Sequence, residues 1–139
     1  MTSTTVQCFV LSIIGVDTAG KAHKKLVLWQ KAVHLVVTVY EATQRFPTSE
    51  RFGLGAQMQR AAVSIPGNIA EGVARKGRKE YLQFVYTAGG SLSELDTQAE
   101  IACQLGYLTA EATIKLQAVM DEVSRLLNGV IIYLSKVNG

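Results

Sequence analysis

The sequence predicts an all-α protein: an antiparallel, up-down-up-down four-helix bundle whose second helix is kinked. Apolar residues recur at every third or fourth position along four long segments, which is the pattern of helices with one buried face. The segments are joined by turns of about two to four residues, and turns so short make consecutive helices antiparallel neighbours. We therefore expect one bundle domain over residues 26–137, preceded by an N-terminal extension over residues 1–25.

The first helix is predicted from about Leu26 to Arg45. It ends at Phe46 because a residue that precedes proline, here Pro47, disfavours the helical conformation. Its predicted inner face consists of Leu28, Trp29, Ala32, Leu35, Val36, Val39, Tyr40 and Thr43. Its predicted outer face consists of Gln30, Lys31, His34, Thr38, Glu41 and Arg45.

The second helix is predicted to start at Thr48 or Ser49, either of which can cap it, and to continue to about Arg75. Pro66 lies inside this pattern, where it removes a backbone donor and clashes with the preceding turn. The polar side chains of Ser64 and Asn68 could satisfy the backbone groups that proline frees. We therefore predict one kinked helix rather than two separate helices.

Two stripes run along this second helix. The apolar stripe consists of Met58, Ala61, Ala62, Ile65, Ile69 and Val73. The polar stripe consists of Arg60, Ser64, Asn68, Glu71 and Arg75. Buried polar groups are costly unless they are paired, so we interpret Arg60, Ser64, Asn68 and Glu71 as a structural polar network. A binding site is the alternative interpretation.

The third helix is predicted from about Arg78 to Leu105 and the fourth from about Ala110 to Lys136, with Thr109 as its cap. Gly89-Gly90 lowers helix propensity by roughly 1 kcal/mol per glycine, which predicts a close approach of another helix there. The predicted inward residues of the third helix are Tyr81, Phe84, Val85, Ala88, Leu92, Leu95, Ala99, Ala102 and Leu105. Those of the fourth are Leu116, Val119, Met120, Val123, Leu126, Leu127, Val130, Ile131 and Leu134.

Composition narrows the class of protein. Charged residues make up 18% of the chain, below the usual quarter, which indicates that partner subunits cover part of an apolar surface. Cys8 and Cys103 match no metal or redox spacing, so we expect reduced thiols in a cytoplasmic protein. No apolar run approaches the ~18–20 residues that span a bilayer, so no membrane association is expected. The apolar segment Cys8–Val16 lacks a preceding lysine or arginine and makes a poor signal peptide.

The bundle topology gathers positive charge at one end. The start of the first helix, the turn between the second and third, and the end of the fourth all lie there. Eight basic and two acidic residues give this end a net charge of +6, while the rest of the chain carries −3. We call its basic residues the basic pole: Lys21, Lys24, Lys25, Arg75, Lys76, Arg78, Lys79 and Lys136.

Local electrostatics accounts for only part of this charge. Arg75 and Lys76 follow a helix C-terminus, where positive charge is favourable. Arg78 and Lys79 open the next helix, where positive charge is mildly unfavourable, so an anionic partner would explain them better. A merely solvated basic turn is the alternative interpretation.

Nothing in the sequence favours catalysis. His23 and His34 are not spaced to pair with a nucleophile or a metal, and we expect neither an enzyme nor a cofactor. Glu94, Asp96 and Glu100 are interpreted as a solvated acidic face, because the Glu-x-x-His pair that a di-iron bundle needs does not occur.

Three blocks of the chain carry a family resemblance: LWQKAVHLVVTVY, FPTSERFGLGAQMQRAAVSIPGNIAEG and YLQFVYTAGGSLSELDTQAEIACQLGYL. Over roughly Leu26–Leu134, the sequence resembles the 23S rRNA intervening-sequence protein family, to which the accessory variability determinant of diversity-generating retroelements is related. The resemblance implies a homo-pentameric barrel of bundles. For the retroelement relatives it also implies binding of nucleic acid and of a reverse transcriptase through basic surface.

Two functional hypotheses follow. In the first, an oligomeric bundle protein binds RNA or DNA by phosphate contacts from its basic pole, with little base readout. The nucleic-acid-binding residues would be Lys24, Lys25, Arg75, Lys76, Arg78 and Lys79. In the second, the protein is a scaffold that presents its ring surfaces to a protein partner and binds no nucleic acid.

Overall fold

The computed structural model describes residues 22–136. Four α-helices account for most of this range: α1, Val27–Thr43; α2, Leu54–Ala74; α3, Arg78–Gln104; and α4, Ala110–Lys136. Short 3-10 turns at Ala22–Lys25 and Thr48–Glu50 precede α1 and α2. The described residues contain no strand, so the predicted all-α fold is confirmed. Most of the predicted N-terminal extension, including Cys8 and Lys21, lies outside them.

The four helices form a closed ring. Helix α1 packs against α2 and α4, and α3 packs against the same two helices, with the α2–α3 interface the most extensive. Two ion pairs join α1 to α4: Lys31 Nζ lies 3.4 Å from Glu122 Oε1, and Lys115 Nζ lies 3.8 Å from Glu41 Oε2. Residue numbers rise along α1 as they fall along α4, which is consistent with the predicted antiparallel order.

A single hydrophobic core fills the ring, and every helix contributes to it. The largest fully buried side chains are Leu35, Met58, Ile65, Ile69, Leu95, Leu116, Val39, Val85 and Val123. All nine occupy predicted inward positions. Burying side chains of this size contributes about 1.5–3 kcal/mol each, so burial of the core supplies most of the favourable free energy of folding.

Three predictions about side-chain orientation were wrong. Thr38 is buried and Tyr40 is 42% exposed, the reverse of the prediction. Thr38 tolerates burial because its hydroxyl donates to the backbone carbonyl of His34 at 2.9 Å, which leaves no unpaired polar group. Leu105 is 55% exposed because it lies beyond the last residue of α3. Gln98, which was not predicted inward, is buried and donates to Glu94 Oε1 at 3.3 Å.

Helix α2 starts later than predicted. Thr48 and Ser49 lie in a separate 3-10 turn, and Gly53 occupies the N-cap position. Glu50 replaces the expected cap, because its Oε1 accepts the backbone N–H of Leu54 at 3.3 Å. The helix then continues through the buried Pro66, which confirms a single helix. Its kink stays a prediction.

The close helix approach occurs at a different glycine from the predicted pair. A Cβ added at Gly89 would lie 3.5 Å from Leu127, an ordinary contact, and one added at Gly90 would meet open space. A Cβ at Gly72 would lie 3.0 Å from both Tyr81 and Phe84 of α3. The absence of a side chain therefore matters on α2, where the two helices approach their connecting turn.

The α3–α4 turn has well-formed caps. Gly106 adopts a φ of 78°, the left-handed conformation that favours glycine. The N–H of Tyr107 donates to the carbonyl of Ala102 at 2.9 Å, and that of Gly106 to Cys103 at 3.0 Å, which together form a Schellman motif. The predicted cap of α4 is confirmed: Thr109 Oγ1 accepts the N–H of Ala112 at 3.1 Å.

The turn between α3 and α4 contacts the segment that precedes α2. The hydroxyl of Tyr107 donates to Glu50 Oε2 at 3.2 Å, and its ring packs against Phe46 with centroids 5.5 Å apart. Burial, followed by the hydrogen bond to Glu50 and the charge of that carboxylate, raises the pKa of Tyr107 above its ordinary value. The neutral phenol is therefore the form that holds this end of the bundle together.

The raised pKa predicts a loss of stability at alkaline pH. At pH values well below about 10, the ordinary pKa of tyrosine, the phenol of Tyr107 is protonated in both states and its contribution is complete. Above that, the unfolded chain releases the proton first, so stability falls as pH rises towards the folded pKa. We expect Tyr107→Phe to lose less stability than wild type between pH 9 and pH 11, measured by urea denaturation at each pH.

Tyr81 provides the control for this experiment. Burial raises its pKa as well, without a carboxylate partner, so it contributes alkaline sensitivity to both proteins. Comparing the two proteins at each pH cancels that contribution. Equal losses in the two proteins would mean that Tyr107 does not couple to folding.

Candidate nucleic-acid interface

The predicted basic residues come from three separate parts of the structure: the first 3-10 turn, the connection between α2 and α3, and the end of α4. Lys24 and Lys25 lie in the first 3-10 turn, which packs against both α1 and α2. Arg75 and Lys76 follow the last residue of α2, and Arg78 and Lys79 open α3. Lys136 is the last residue of α4. Lys21 lies outside the described residues.

Side-chain contacts bring these elements to one end of the bundle. The guanidinium of Arg78 lies over the ring of Tyr133, 5.7 Å from its centroid, so the start of α3 lies beside the end of α4. At the opposite end, Gln59 near the start of α2 donates to Thr43 at the end of α1, at 2.9 Å. The start of α1 therefore lies towards the end of α2, beside the basic turn.

The basic side chains differ in exposure. Lys25, Arg75, Lys76 and Lys79 are exposed, whereas Lys24 and Arg78 are half-buried. Arg75 lies 3.8 Å from Glu71 in an exposed ion pair and 4.9 Å from the ring centroid of Phe84. Exposed ion pairs contribute only about 0–1 kcal/mol, so a phosphate could displace Glu71 from Arg75 at little cost.

Helix ends explain some of these positions. Arg75 and Lys76 lie beyond the C-terminus of α2, where their charge is favourable. Arg78 and Lys79 occupy the first turn of α3, where positive charge is unfavourable. For Arg78, the contact with Tyr133 supplies a local compensation of about 0.5–1 kcal/mol. Lys79 is exposed in the same unfavourable turn.

Tyr133 is a candidate site residue that the sequence analysis missed. It is 61% exposed and, through Arg78, belongs to the basic end. A second aromatic ring accompanies a cation at this end: the ring centroid of Phe84 lies 4.9 Å from the guanidinium of Arg75. The sequence did contain a signal for Tyr133, because its position falls outside the core spacing of α4 and close to the basic end of that helix.

The polar stripe of α2 divides into separate groups. Ser64 Oγ lies 2.8 Å from Ser91 Oγ of α3, and Asn68 Nδ2 donates to both the hydroxyl and the carbonyl of Ser64, at 2.9 and 2.8 Å. Glu71 pairs instead with Arg75. Arg60 is exposed on an open polar recess that it shares with Ser64 and Ser91. The structure thus joins Ser64 and Asn68 but not all four predicted members.

The hydrogen bonds of this polar cluster do not replace the backbone hydrogen bond that Pro66 removes, contrary to the prediction. Proline removes the N–H that would bond the carbonyl of Ala62, four residues earlier. The amide of Asn68 bonds the carbonyl of Ser64 instead. The cluster therefore links α2 to α3 through Ser91, which fits a structural role better than a ligand site.

Comparison with known proteins bears on the whole bundle. A sequence profile of the family described as 23S rRNA-intervening sequence protein matches residues 24–129, which include α1, α2, α3 and most of α4. No curated protein matches the chain. Within residues 22–136, none of the helices combines the length and apolarity needed to cross a membrane.

Proposed function

Because the chain belongs to the 23S rRNA-intervening sequence protein family, we propose that it is a non-enzymatic, cytoplasmic, homo-oligomeric protein that binds RNA or DNA through its basic pole. The observation that carries the proposal is the convergence of cations from three elements on one end of the bundle. Lys79 adds to it, since it is exposed where a helix start disfavours positive charge.

Phosphate neutralisation would be the mechanism. Lys25, Lys76 and Lys79 are exposed point charges on flexible stems, which suit phosphates of any sequence. Arg75 and Arg78 are planar forks that can hold a phosphate through two hydrogen bonds. Such contacts fix the position of a nucleic acid without reading its bases.

Oligomerisation would strengthen this mechanism. Val27, Val37 and Ile114 are large exposed apolar side chains on α1 and α4, and an oligomer would remove such surface from water. The pentamer that the family resemblance implies would present five copies of the basic pole. Repeated copies raise the local positive potential and the number of phosphates neutralised together.

The test is a binding titration with structured RNA and duplex DNA at low and moderate salt. Wild type is compared with a Lys76→Ala, Arg78→Ala, Lys79→Ala variant after light scattering has shown the same oligomer in both. We expect weaker binding by the variant, and a salt slope smaller by about one unit per phosphate contact removed.

A second triple variant removes the same charge elsewhere. Arg45, Arg51 and Lys115 lie towards the other end of the bundle, and their replacement by alanine should leave the affinity nearly unchanged. Equal losses in the two variants would indicate an effect of net charge alone. Absence of binding by an intact oligomer would rule out the nucleic-acid proposal.

The exposed apolar side chains also favour an alternative function. Val63, Tyr86 and Ile132 are exposed on three different helices, as expected of a scaffold that presents its surfaces to a protein partner. A reverse transcriptase is such a partner for the retroelement relatives. Binding of a protein that persists as salt rises, without binding of nucleic acid, would support the scaffold.

A further inference from the structure

We propose that the basic pole binds single-stranded nucleic acid in preference to duplex, with the ring of Tyr133 stacking on an unpaired base. This inference rests on the proposed function and narrows its ligand. The structural feature behind it is the pairing of an exposed aromatic ring with a cation at the basic end.

The position of Tyr133 makes its ring available. Its neighbour Leu134 is buried in the core, so the backbone at this point of α4 is anchored. Tyr133 itself, one residue earlier, is exposed over 61% of its surface. An aromatic side chain held on a rigid helix can accept a base without first being ordered, which lowers the entropic cost of binding.

Arg78 makes this ring part of a charged site. Its guanidinium lies 5.7 Å from the ring centroid, and its side chain is half-buried, so the cation and the ring are held side by side. A nucleotide offers both chemistries at once, a flat base and an adjacent phosphate. Tyr133 can contact the first while Arg78 or the exposed Lys79 neutralises the second.

A duplex would contact the cations of this site but would offer no unpaired base to the ring of Tyr133. Its bases are already stacked on one another, and the major groove of an RNA duplex is too deep and narrow for side chains to reach them. A surface of cations alone would favour duplex, which has the higher charge density. The ring beside the cations therefore points to a strand with unpaired bases.

The opposite end of the bundle provides a contrast. There the half-buried phenol of Tyr107 is already engaged, because it donates to the carboxylate of Glu50 and its ring packs on Phe46. A negative charge next to the ring would repel the phosphate of any nucleotide that stacked on it. The two ends thus differ in charge and in the availability of their aromatic rings.

The test measures fluorescence anisotropy of labelled strands at one salt concentration. The probes are an oligouridine RNA, an oligothymidine DNA, an abasic DNA strand of the same length, and a duplex of that length. The variants are Tyr133→Leu, which removes the ring, Tyr133→Phe, which keeps it, and Tyr40→Leu, which removes an exposed tyrosine at the far end of α1. Unchanged melting temperatures establish that each variant is folded.

We expect wild type to bind the base-bearing strands more tightly than the duplex. Tyr133→Leu should weaken that binding about fivefold or more, with little change for the abasic strand, since stacking requires a base. Tyr133→Phe and Tyr40→Leu should bind as wild type does. The RNA and DNA arms identify which sugar the site prefers.

The outcomes separate this inference from the function on which it rests. Binding that is as strong for the abasic strand or the duplex as for the base-bearing strands would overturn the inference alone. So would an equal loss in Tyr133→Leu and Tyr40→Leu. No binding to any probe by the intact oligomer would overturn both.

Discussion

Replacing Ile65 by alanine is expected to lower the free energy of unfolding by about 2–5 kcal/mol. Ile65 is completely buried on the core face of α2, the helix with the largest interface in the ring. Its next neighbour in sequence is Pro66, whose fixed backbone limits how far the helix can relax into the space left behind. The measurement is urea denaturation followed by circular dichroism.

Val63→Ala is the matched control for this variant. Val63 lies on the same helix, two residues earlier, and is 47% exposed. Its truncation should change stability by about 0.5 kcal/mol or less, as is usual for surface positions. A similar loss in both variants would indicate that both faces of α2 are buried in the oligomer, so that the core extends beyond one bundle.

Gly72→Ala is the second prediction with a large effect. The new methyl group would lie 3.0 Å from Phe84 Cβ and 3.3 Å from the carbonyl oxygen of Tyr81. Both atoms are fixed by the backbone of α3, so the helices themselves must move apart. Overpacking of this kind costs about 1–3 kcal/mol, which exceeds the gain of up to ~1 kcal/mol in helix propensity. We expect a net loss of stability in thermal and urea denaturation.

Gly67→Ala tests the same substitution in the same helix without the contact. A Cβ at Gly67 meets no described atom within 4 Å, and the residue is exposed. Only the helix-propensity gain remains, so this variant should be as stable as wild type or up to ~1 kcal/mol more stable. If Gly72→Ala were equally stable, the α2–α3 approach would be looser than the structure indicates.

Much of the fold was predictable because helical periodicity is a local property of the sequence. The apolar spacing of α4 identified Leu116, Met120 and Val123 as core residues, and all three are buried. The start of α2 was not predictable in the same way. Its cap comes from Glu50, which reaches four residues forward to Leu54, while the hydroxyl residues expected there lie in a separate turn.

Errors of orientation have tertiary causes. Thr38 becomes compatible with the core through a hydrogen bond to its own helix, which its residue type alone does not predict. The close glycine contact was assigned to Gly89-Gly90 by propensity, yet it belongs to Gly72 because of what lies opposite it on α3. Spacing along one helix carries no information about its neighbour.

The candidate site was predictable in part for the same reason. Bundle topology alone was sufficient to collect the basic residues at one end. The pairing of Arg78 with Tyr133 depends on side chains that are far apart in sequence and on how α3 meets α4. This pairing could be recognised only from the structure, and it identifies the aromatic component of the site.

The closed ring of helices has a consequence for the order of folding. The α2–α3 interface is the most extensive and joins segments linked by a short turn, so it can form early at a small cost in loop-closure entropy. The α1–α4 interface, with its ion pairs from Lys31 and Glu41, joins the two ends of the domain and must form late. This seam should open first when the protein fluctuates, and amide hydrogen exchange should accordingly be faster along α1 than along α2.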